Sequence, residues 1–529
     1  MPRWDVGELI PAPLFRWRNL LFLIGPGLVS GAAAIGGGEW LTGPMVSARY
    51  GGALLWLATL SIVGQAIYNI EISRYTLYTG EPIFTGKFRI PPGPILWVAV
   101  YLVLDFGSVL PYLASNAAVP LFSLISGTLP DTRIEADTTG LKLFGCALFV
   151  AMLLPLVLGG KVYNSLKAIM AFKLVVVVGF LLFLAIGYST WDTWAEIFSG
   201  FFKFGNVPVA SPDGPAVKNA IVSVASGEGF PVIDFSMIGI IAAMAAICGN
   251  GGLTNTPISG YTRDQGWGMG HHVGAIPSFV GGRKISLSHV GMVFQVTKES
   301  LERWRGWVRH VHREQLMVWA PACVLGIALP SMLSVQFLRG KEIPEDKWLA
   351  AGMTADGVQE AVGPTLGPAF WYLTMFCGLL VLSTSLATTS DGVLRRWVDM
   401  IWTASPHLRR WDPRHIRKLY FGVLCVYALF GLTMLTQVKG DGLLVWSTML
   451  YNYALGFSCW HVLLVNTLLM PKELRPSKLR RTGLFLAGIF FTAIAILTTF
   501  NEVGKMIASA EKPAATAPAE PDAVEADER

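Results

Sequence analysis

Charge is what this 529-residue sequence has least of. Only 14% of its residues are Asp, Glu, Lys or Arg, where a soluble domain carries about a quarter. That scarcity excludes an ordinary soluble protein surface. Cysteine is sparse too. The six (Cys146, Cys248, Cys323, Cys377, Cys425 and Cys459) all fall in apolar segments with no C-x-x-C pair. A disulfide frame and a zinc site are therefore excluded, and the thiols read as small buried hydrophobes. A cleavable leader is also not expected, because Met1–Arg18 carries charges but no short apolar core ending in small residues. The net charge of +6 does not point to nucleic acid, because the basic residues gather in short loops between apolar runs.

Those apolar runs dominate what is there. Hydrophobic residues make up 53% of the chain, in repeated stretches of about 20, the length that crosses a bilayer. The class is an all-α polytopic membrane protein, not an enzyme, with the lipid bilayer as its surroundings. Eleven spans are expected: 20–47, 52–78, 95–126, 142–159, 165–188, 235–260, 314–338, 368–390, 417–437, 442–470 and 483–503. With the N-terminus inside, Lys and Arg divide roughly 28 inside to 12 outside, with Lys173 in a span, which fixes the orientation. The C-terminus then lies outside and the host is the cytoplasmic (inner) membrane.

Two stretches interrupt this pattern. Ala33-Ala34-Ile35-Gly36-Gly37-Gly38-Glu39-Trp40-Leu41-Thr42 lies in the first span, and Ala245-Ala246-Ile247-Cys248-Gly249-Asn250-Gly251-Gly252-Leu253-Thr254 in the sixth. They align without a gap as A-A-I-x-G-x-x-x-L-T. Each helical glycine costs about 1 kcal/mol relative to alanine, so both helices are predicted to break. Five spans apart and running in opposite directions, the breaks define a 5+5 inverted repeat plus one helix, with helices 1 and 6 interrupted. Such paired breaks mark the binding site of a secondary transporter. The organisation is 1–19 cytoplasmic segment, 20–188 first repeat, 189–234 external loop, 235–470 second repeat including cytoplasmic loop 261–313, 471–503 loop and helix 11, and 504–529 disordered tail. Within the cytoplasmic loop, Val290–Val311 alternates apolar and basic faces, which predicts an amphipathic helix on the membrane surface.

Unwound backbone at membrane depth must line a cavity or be buried in protein. The carbonyls around Gly36, Gly37, Cys248 and Gly249 are thus candidate ligands. Glu39 begins the second half-helix, whose N-terminal dipole favours an anion; it reads as a cation ligand or proton carrier, or more plainly as a cap. Asn250 offers an amide oxygen, or simply a turn. Thr254 either faces substrate or returns a hydrogen bond to its own helix. Asp105, inside an apolar stretch, is a proton or ion relay candidate, or one half of an ion pair with a base such as Lys173. Glu71 and Arg74, at i, i+3, form a local pair. Ser385 belongs to a hydroxyl-rich run (383–389) suited to a sodium-type site or to helix packing. Asn452 walls the cavity. His271-His272 lacks supporting ligands and reads as loop.

The frame Gly25-Pro26-Gly27, Tyr50-Gly51, Leu54-Leu55-Trp56, Arg74 and Thr79-Gly80 resembles the start of the Nramp divalent-metal transporters. The resemblance implies the LeuT-type fold and cation-coupled import. It also implies that Asp105 keeps an acidic position of the family and that Asn69 stands where the family has glutamine. The departures fall on the chemistry. The family's metal-binding Asp-Pro-Gly-Asn is here Gly36, Gly37, Gly38 and Glu39, and its Met-Pro-His region reads Cys248-Gly249-Asn250-Gly251. What remains is a hard-oxygen set without the family's methionine sulfur, suited to Mg²⁺ or Mn²⁺ more than Fe²⁺ or Zn²⁺. The expectation is a proton-linked importer of a divalent cation, with Glu39 and Asn250 as metal ligands, Asp105, Asn69 and Ser385 in coupling, and no resident cofactor. A cation-coupled symporter of an amino acid or amine, and a non-transporting sensor on the same scaffold, are the alternatives.

Overall fold

Inside a bilayer every backbone polar group needs a partner within its own segment, and helices supply it. The computed structural model describes residues 3–14, 36–158, 161–212, 214–273, 291–338, 350–411 and 415–511. A helix occupies each of the eleven expected spans, although residues 20–35 of the first lie outside the described residues. A short strand β1 (Asp5–Val6) precedes α1 (Gly37–Tyr50), α2 (Trp56–Thr79) and a connecting helix α3 (Ile83–Arg89). The third span divides into α4 (Pro94–Leu104) and α5 (Tyr112–Ser126), followed by α6 (Glu135–Leu158) and α7 (Lys161–Tyr188). The expected external loop holds α8 (Trp191–Gly200), an antiparallel hairpin of β2 (Asn206–Val209) and β3 (Ala216–Asn219), and α9 (Ala220–Ala225). The second half runs α10 (Ile238–Ile247), α11 (Pro257–Asp264), α12 (Gly270–Val273), β4 (Met292–Val293), α13 (Lys298–Glu314), α14 (Ala320–Leu338), α15 (Ala350–Val362), α16 (Gly367–Ala404), α17 (Ile416–Gln437), α18 (Gly440–Leu468) and α19 (Lys478–Glu511).

Among the described residues seven helical stretches are long and apolar enough to cross a membrane. This is a polytopic helical membrane fold. At its centre α1 packs on α10 and α14, α16 on α5, and α10 on α18, which lies along α19.

Four expectations change. The third span is interrupted: a 3₁₀ turn at Asp105–Ser108 separates α4 from α5, and Pro111 precedes α5. The helix read as lying on the membrane surface is α13, which joins α14 through a π-helical turn at Gln315–Trp319. Its apolar residues Trp304, Trp307 and Val311 pack in a cluster with Leu9, Tyr78, Met269 and Phe294 rather than against lipid. The N-terminal segment closes that cluster: β1 pairs in parallel with β4, and Trp307 Nε1 donates to the Ile10 carbonyl at 2.8 Å. The eighth helix, α16, continues to Ala404, so Arg395 and Arg396 belong to a helix and not to a cytoplasmic loop, and Arg396 is buried. Finally α19 reaches Glu511, which makes 504–511 helical, while 512–529 lie outside the described residues.

The connector α3 carries a lysine into the interior. Lys87 is completely buried. Its Nζ donates to Ser458 Oγ at 2.6 Å and sits 4.3 Å from the Tyr101 ring centre and 4.8 Å from that of Phe84. Ring faces attract a cation, but among the described residues no carboxylate pairs with this one. Burial therefore pushes the Lys87 ammonium well below its usual range, about 10.4 in the unfolded chain. Between those two values the unfolded chain binds a proton that the folded chain does not. The folded state consequently loses stability as pH falls through that window. Lys87→Met is expected to flatten this dependence, read as a smaller fall in thermal midpoint of the detergent-solubilised protein between about pH 9 and pH 7. Equal slopes for the two proteins would refute it.

Candidate functional site

The sixth-span break is built as the glycines require. Helix α10 ends at Ile247 and Cys248 turns extended. Gly249 has φ +110° and Gly252 φ +59°, values that glycine adopts without a Cβ penalty. A second constraint acts at the same positions. A Cβ on Gly249 would meet the Trp319 ring at 2.9 Å, and one on Gly252 the Tyr451 ring at 2.5 Å. The two aromatic rings thus wall the break, from the π-helical turn and from α18.

One side chain holds the unwound segment. Gln65, buried on α2, donates from Nε2 to the Cys248 carbonyl at 2.9 Å and to Ser61 Oγ at 3.0 Å. Its Oε1 accepts from the Asn250 amide at 3.1 Å and from Asn255 Nδ2 at 2.9 Å. Asn255 Nδ2 also reaches the Asn250 carbonyl at 2.7 Å, and Ser61 Oγ donates to the Ala245 carbonyl at 2.5 Å. One turn along, Asn69 Nδ2 donates to Gln315 Oε1 at 3.0 Å. Ser61, Gln65 and Asn69 thus form one polar stripe, at i, i+4 and i+8 of α2, facing the break and the π turn.

That stripe leaves polar capacity unused. Asn69 Oδ1, Asn255 Oδ1, Gln315 Nε2 and Trp319 Nε1 are buried without a hydrogen-bond partner. Among the described residues the Asn250 side chain makes no hydrogen bond. Unmet groups of this kind are costly unless water or a ligand meets them, so the surroundings of the second break are suited to a polar guest.

The other expected site residues separate into groups. Gly36 is buried at the start of α1, and Gly37 and Glu39 fall in its first turn; the Glu39 side chain and residues 33–35 lie outside the described part. Thr254 donates to the Gly251 carbonyl, which shapes the turn. Asn452 donates to the Ala242 carbonyl at 3.1 Å, bracing the middle of α10. In the hydroxyl run of α16, Ser383, Thr384 and Thr388 return their bonds to their own helix, whereas the buried Ser385 Oγ has no partner. Glu71 and Arg74 form the expected local pair at 2.9 Å. Among the described residues no group of three or more His, Cys, Asp or Glu comes together.

Asp105 lies at the interruption of the third span, and its partner is Arg396 of α16. Arg396 Nε donates to Oδ2 at 2.7 Å and Nη2 to Oδ1 at 2.9 Å, a two-pronged contact. Trp397 Nε1 and Ser108 Oγ each add a bond at 2.8 Å. Arg396 Nη1 also approaches the Leu253 carbonyl at 3.4 Å, inside the second break. Sequence reasoning missed Gln65, Asn255, Trp319 and Arg396. The first three show no signal beyond polarity or bulk in an apolar run, and Arg396 was hidden among loop charges.

No family model and no curated protein sequence matches this chain. Among solved structures it is similar to two variants of a manganese transporter from Eremococcus coleocola. Each shows a TM-score of 0.58 and 14% identity over 97% of this chain and 92% of that chain. The same transporter in complex with an aromatic bis-isothiourea substituted compound gives a TM-score of 0.56 at 14% identity, over 96% and 92%. The likeness is one of fold.

Gln65→Leu is expected to orphan the Cys248 carbonyl and the Asn250 amide, at about 1–3 kcal/mol each. Hydrogen exchange across 249–256 should then accelerate roughly tenfold or more, and unchanged protection would show that Gln65 does not hold the break. Asp105→Asn leaves a buried guanidinium unpaired and should destabilise by about 3–5 kcal/mol, most of it recovered in Asp105→Leu/Arg396→Met. Denaturation that finds the single variant as stable as the double would overturn this.

Proposed function

We propose that this chain is a secondary active transporter that carries a hydrated divalent cation, Mg²⁺ or Mn²⁺, inward by alternating access between its two helix breaks. The observation that carries the reading is the set of unmet polar atoms around an unwound segment walled by Trp319 and Tyr451. Mg²⁺ keeps several of its waters when bound. Waters on an ion would donate to the free Asn69 and Asn255 oxygens. Glu39 and Asn250 would be the direct ligands, with carbonyls of Gly36, Gly37, Cys248 and Gly249. Thr254 and Asn452 shape the site, their polar groups already engaged with backbone. The cation is substrate, not cofactor, and the manganese-transporter fold agrees with this reading without identifying the ion.

A proton is the proposed coupling ion, with Asp105 as its carrier. Protonating Asp105 would weaken its hold on Arg396, whose other arm lies at the Leu253 carbonyl. Asn69 and Ser385, each with an unpartnered buried oxygen, are the further polar positions assigned to coupling. The free Trp319 and Gln315 donors also support an organic solute with an anionic group, which is the second reading.

Isothermal titration of the purified protein against Mn²⁺, Mg²⁺ and Ca²⁺, with Glu39→Gln and Asn250→Ala alongside, tests the proposal. Saturable binding weakened at least about tenfold in both variants, some 1.4 kcal/mol, is the expected result. Absence of binding by all three ions would refute the cation reading; amino acids and amines would then be titrated. Flux of no solute into sealed vesicles would leave the sensor alternative.

A further inference from the structure

The segment between α7 and α10 wears its polarity inside out. In α9 the small Ala220 and polar Ser223 are buried, while Ile221 and Val222 are each 63% exposed. The polar groups are consumed within the segment: Ser223 Oγ donates to the Glu228 carboxylate at 3.4 Å, and Glu228 pairs with Lys218 at 2.6 Å. Hydrogen bonds tie the start of α9 to the chain beside Phe204. Ala220 N–H donates to the Gly205 carbonyl at 2.8 Å and Asn219 Nδ2 to that of Phe204 at 2.9 Å. A bridge between Val209 and Ile233 brings in Phe230 and Val232, the latter 82% exposed. Large apolar residues gathered and exposed on one segment in this way mark a binding face.

Its position identifies what it faces. Trp56 Nε1 donates to the Asn206 carbonyl at 2.9 Å, Thr59 Oγ1 to that of Phe201 at 2.7 Å, and the Trp56 ring meets Phe204 edge-on. The hairpin is thereby fastened to the first turn of α2. Trp56, Leu60 and Val63 lie on one stripe of that helix, at i, i+4 and i+7, and Leu60 and Val63 are exposed apolar residues of the expected second span. The hairpin therefore stands directly above a lipid-facing stripe. A second helix arrives at the same end of the bundle: α7 exposes Phe183 and Ile186, and Trp191 follows, also exposed. Aromatic residues at the ends of lipid-facing stripes occupy the membrane–water boundary.

We propose that the segment between α7 and α10 rests in the boundary layer of the bilayer, at the expected outer side. Phe202, Phe204, Ile221, Val222, Phe230 and Val232 lie against phospholipid there, whatever solute the chain transports. The occupant is lipid rather than a second copy because the surface continues the lipid-facing stripe of α2.

The test places a nitroxide at Val222→Cys or Val232→Cys in a Cys425→Ser background, with Val63→Cys as the lipid reference. The full chain is reconstituted in vesicles of phosphatidylcholine and phosphatidylglycerol. Power saturation by oxygen and by a nickel chelate then reports depth. Oxygen favoured over nickel several-fold at both positions, though less than at Val63→Cys, is the expected result. Nickel favoured at both would place the surface in water and overturn the proposal. Exclusion of both reagents, with a short defined distance between labels on two chains, would overturn it in favour of a second copy.

Discussion

A helix that unwinds inside a membrane leaves backbone groups that neither water nor lipid can satisfy, and the centre of this molecule depends on how that deficit is met. Gln65 meets most of it. Its amide has one donor group and one acceptor oxygen, and both are spent on the sixth-span break, with Asn255 and Ser61 completing the set. Because α2 is an unbroken helix, it serves as the rigid wall on which the unwound segment is hung. The glycines then have a double duty: two take positive φ, and the missing Cβ atoms let Trp319 and Tyr451 close over the gap.

The same economy of partners governs the buried charges. Asp105 takes four hydrogen bonds, two of them from Arg396, Glu71 has Arg74 and Asn466, and Glu81 has Arg89 and Tyr75. Each carboxylate is held where desolvation alone would make it costly. Lys87 departs from this rule, with a hydroxyl and two ring faces in place of an acid. Ser458, which takes its hydrogen bond, also contacts Tyr68 on α2, so the connector α3 is tied to the helix that carries Gln65.

What could be read in the sequence was local. The Gly249-Asn250-Gly251-Gly252 run announced a break because glycine is a poor helix former, and Glu71 with Arg74 announced a pair because residues three apart share a helix face. Asp105 stood out as an acid among apolar residues, but its partner did not, since Arg396 is 291 positions away and sits in a run that counts equally well as loop charge. Gln65 carried no signal, because a lone glutamine in a span is as consistent with a water-filled face as with a clamp. The amphipathic period of α13 was read correctly and assigned to the wrong solvent. Its apolar face meets Leu9 and Phe294, and periodicity says which side is apolar but not what covers it.

The two halves of the proposed transport cycle are physically joined. Arg396 is held by Asp105 and reaches the Leu253 carbonyl; Leu253 belongs to the 3₁₀ turn Gly252–Asn255; and Asn255 binds both Gln65 and the Asn250 carbonyl. A change in charge at Asp105 therefore has a short route to the segment proposed to hold substrate. Such a link must act in both directions: if protonation alters the affinity of the break for its guest, the guest alters the proton affinity of Asp105 by the same factor. Coupling of ion to solute then needs no moving wire between distant sites. It needs only that the turn between Leu253 and Asn255 has two arrangements, one compatible with a paired Arg396 and one not. A 3₁₀ turn that begins at a glycine of positive φ has poorer hydrogen-bond geometry than an α-helix, which makes it the segment of this core best suited to hold two shapes.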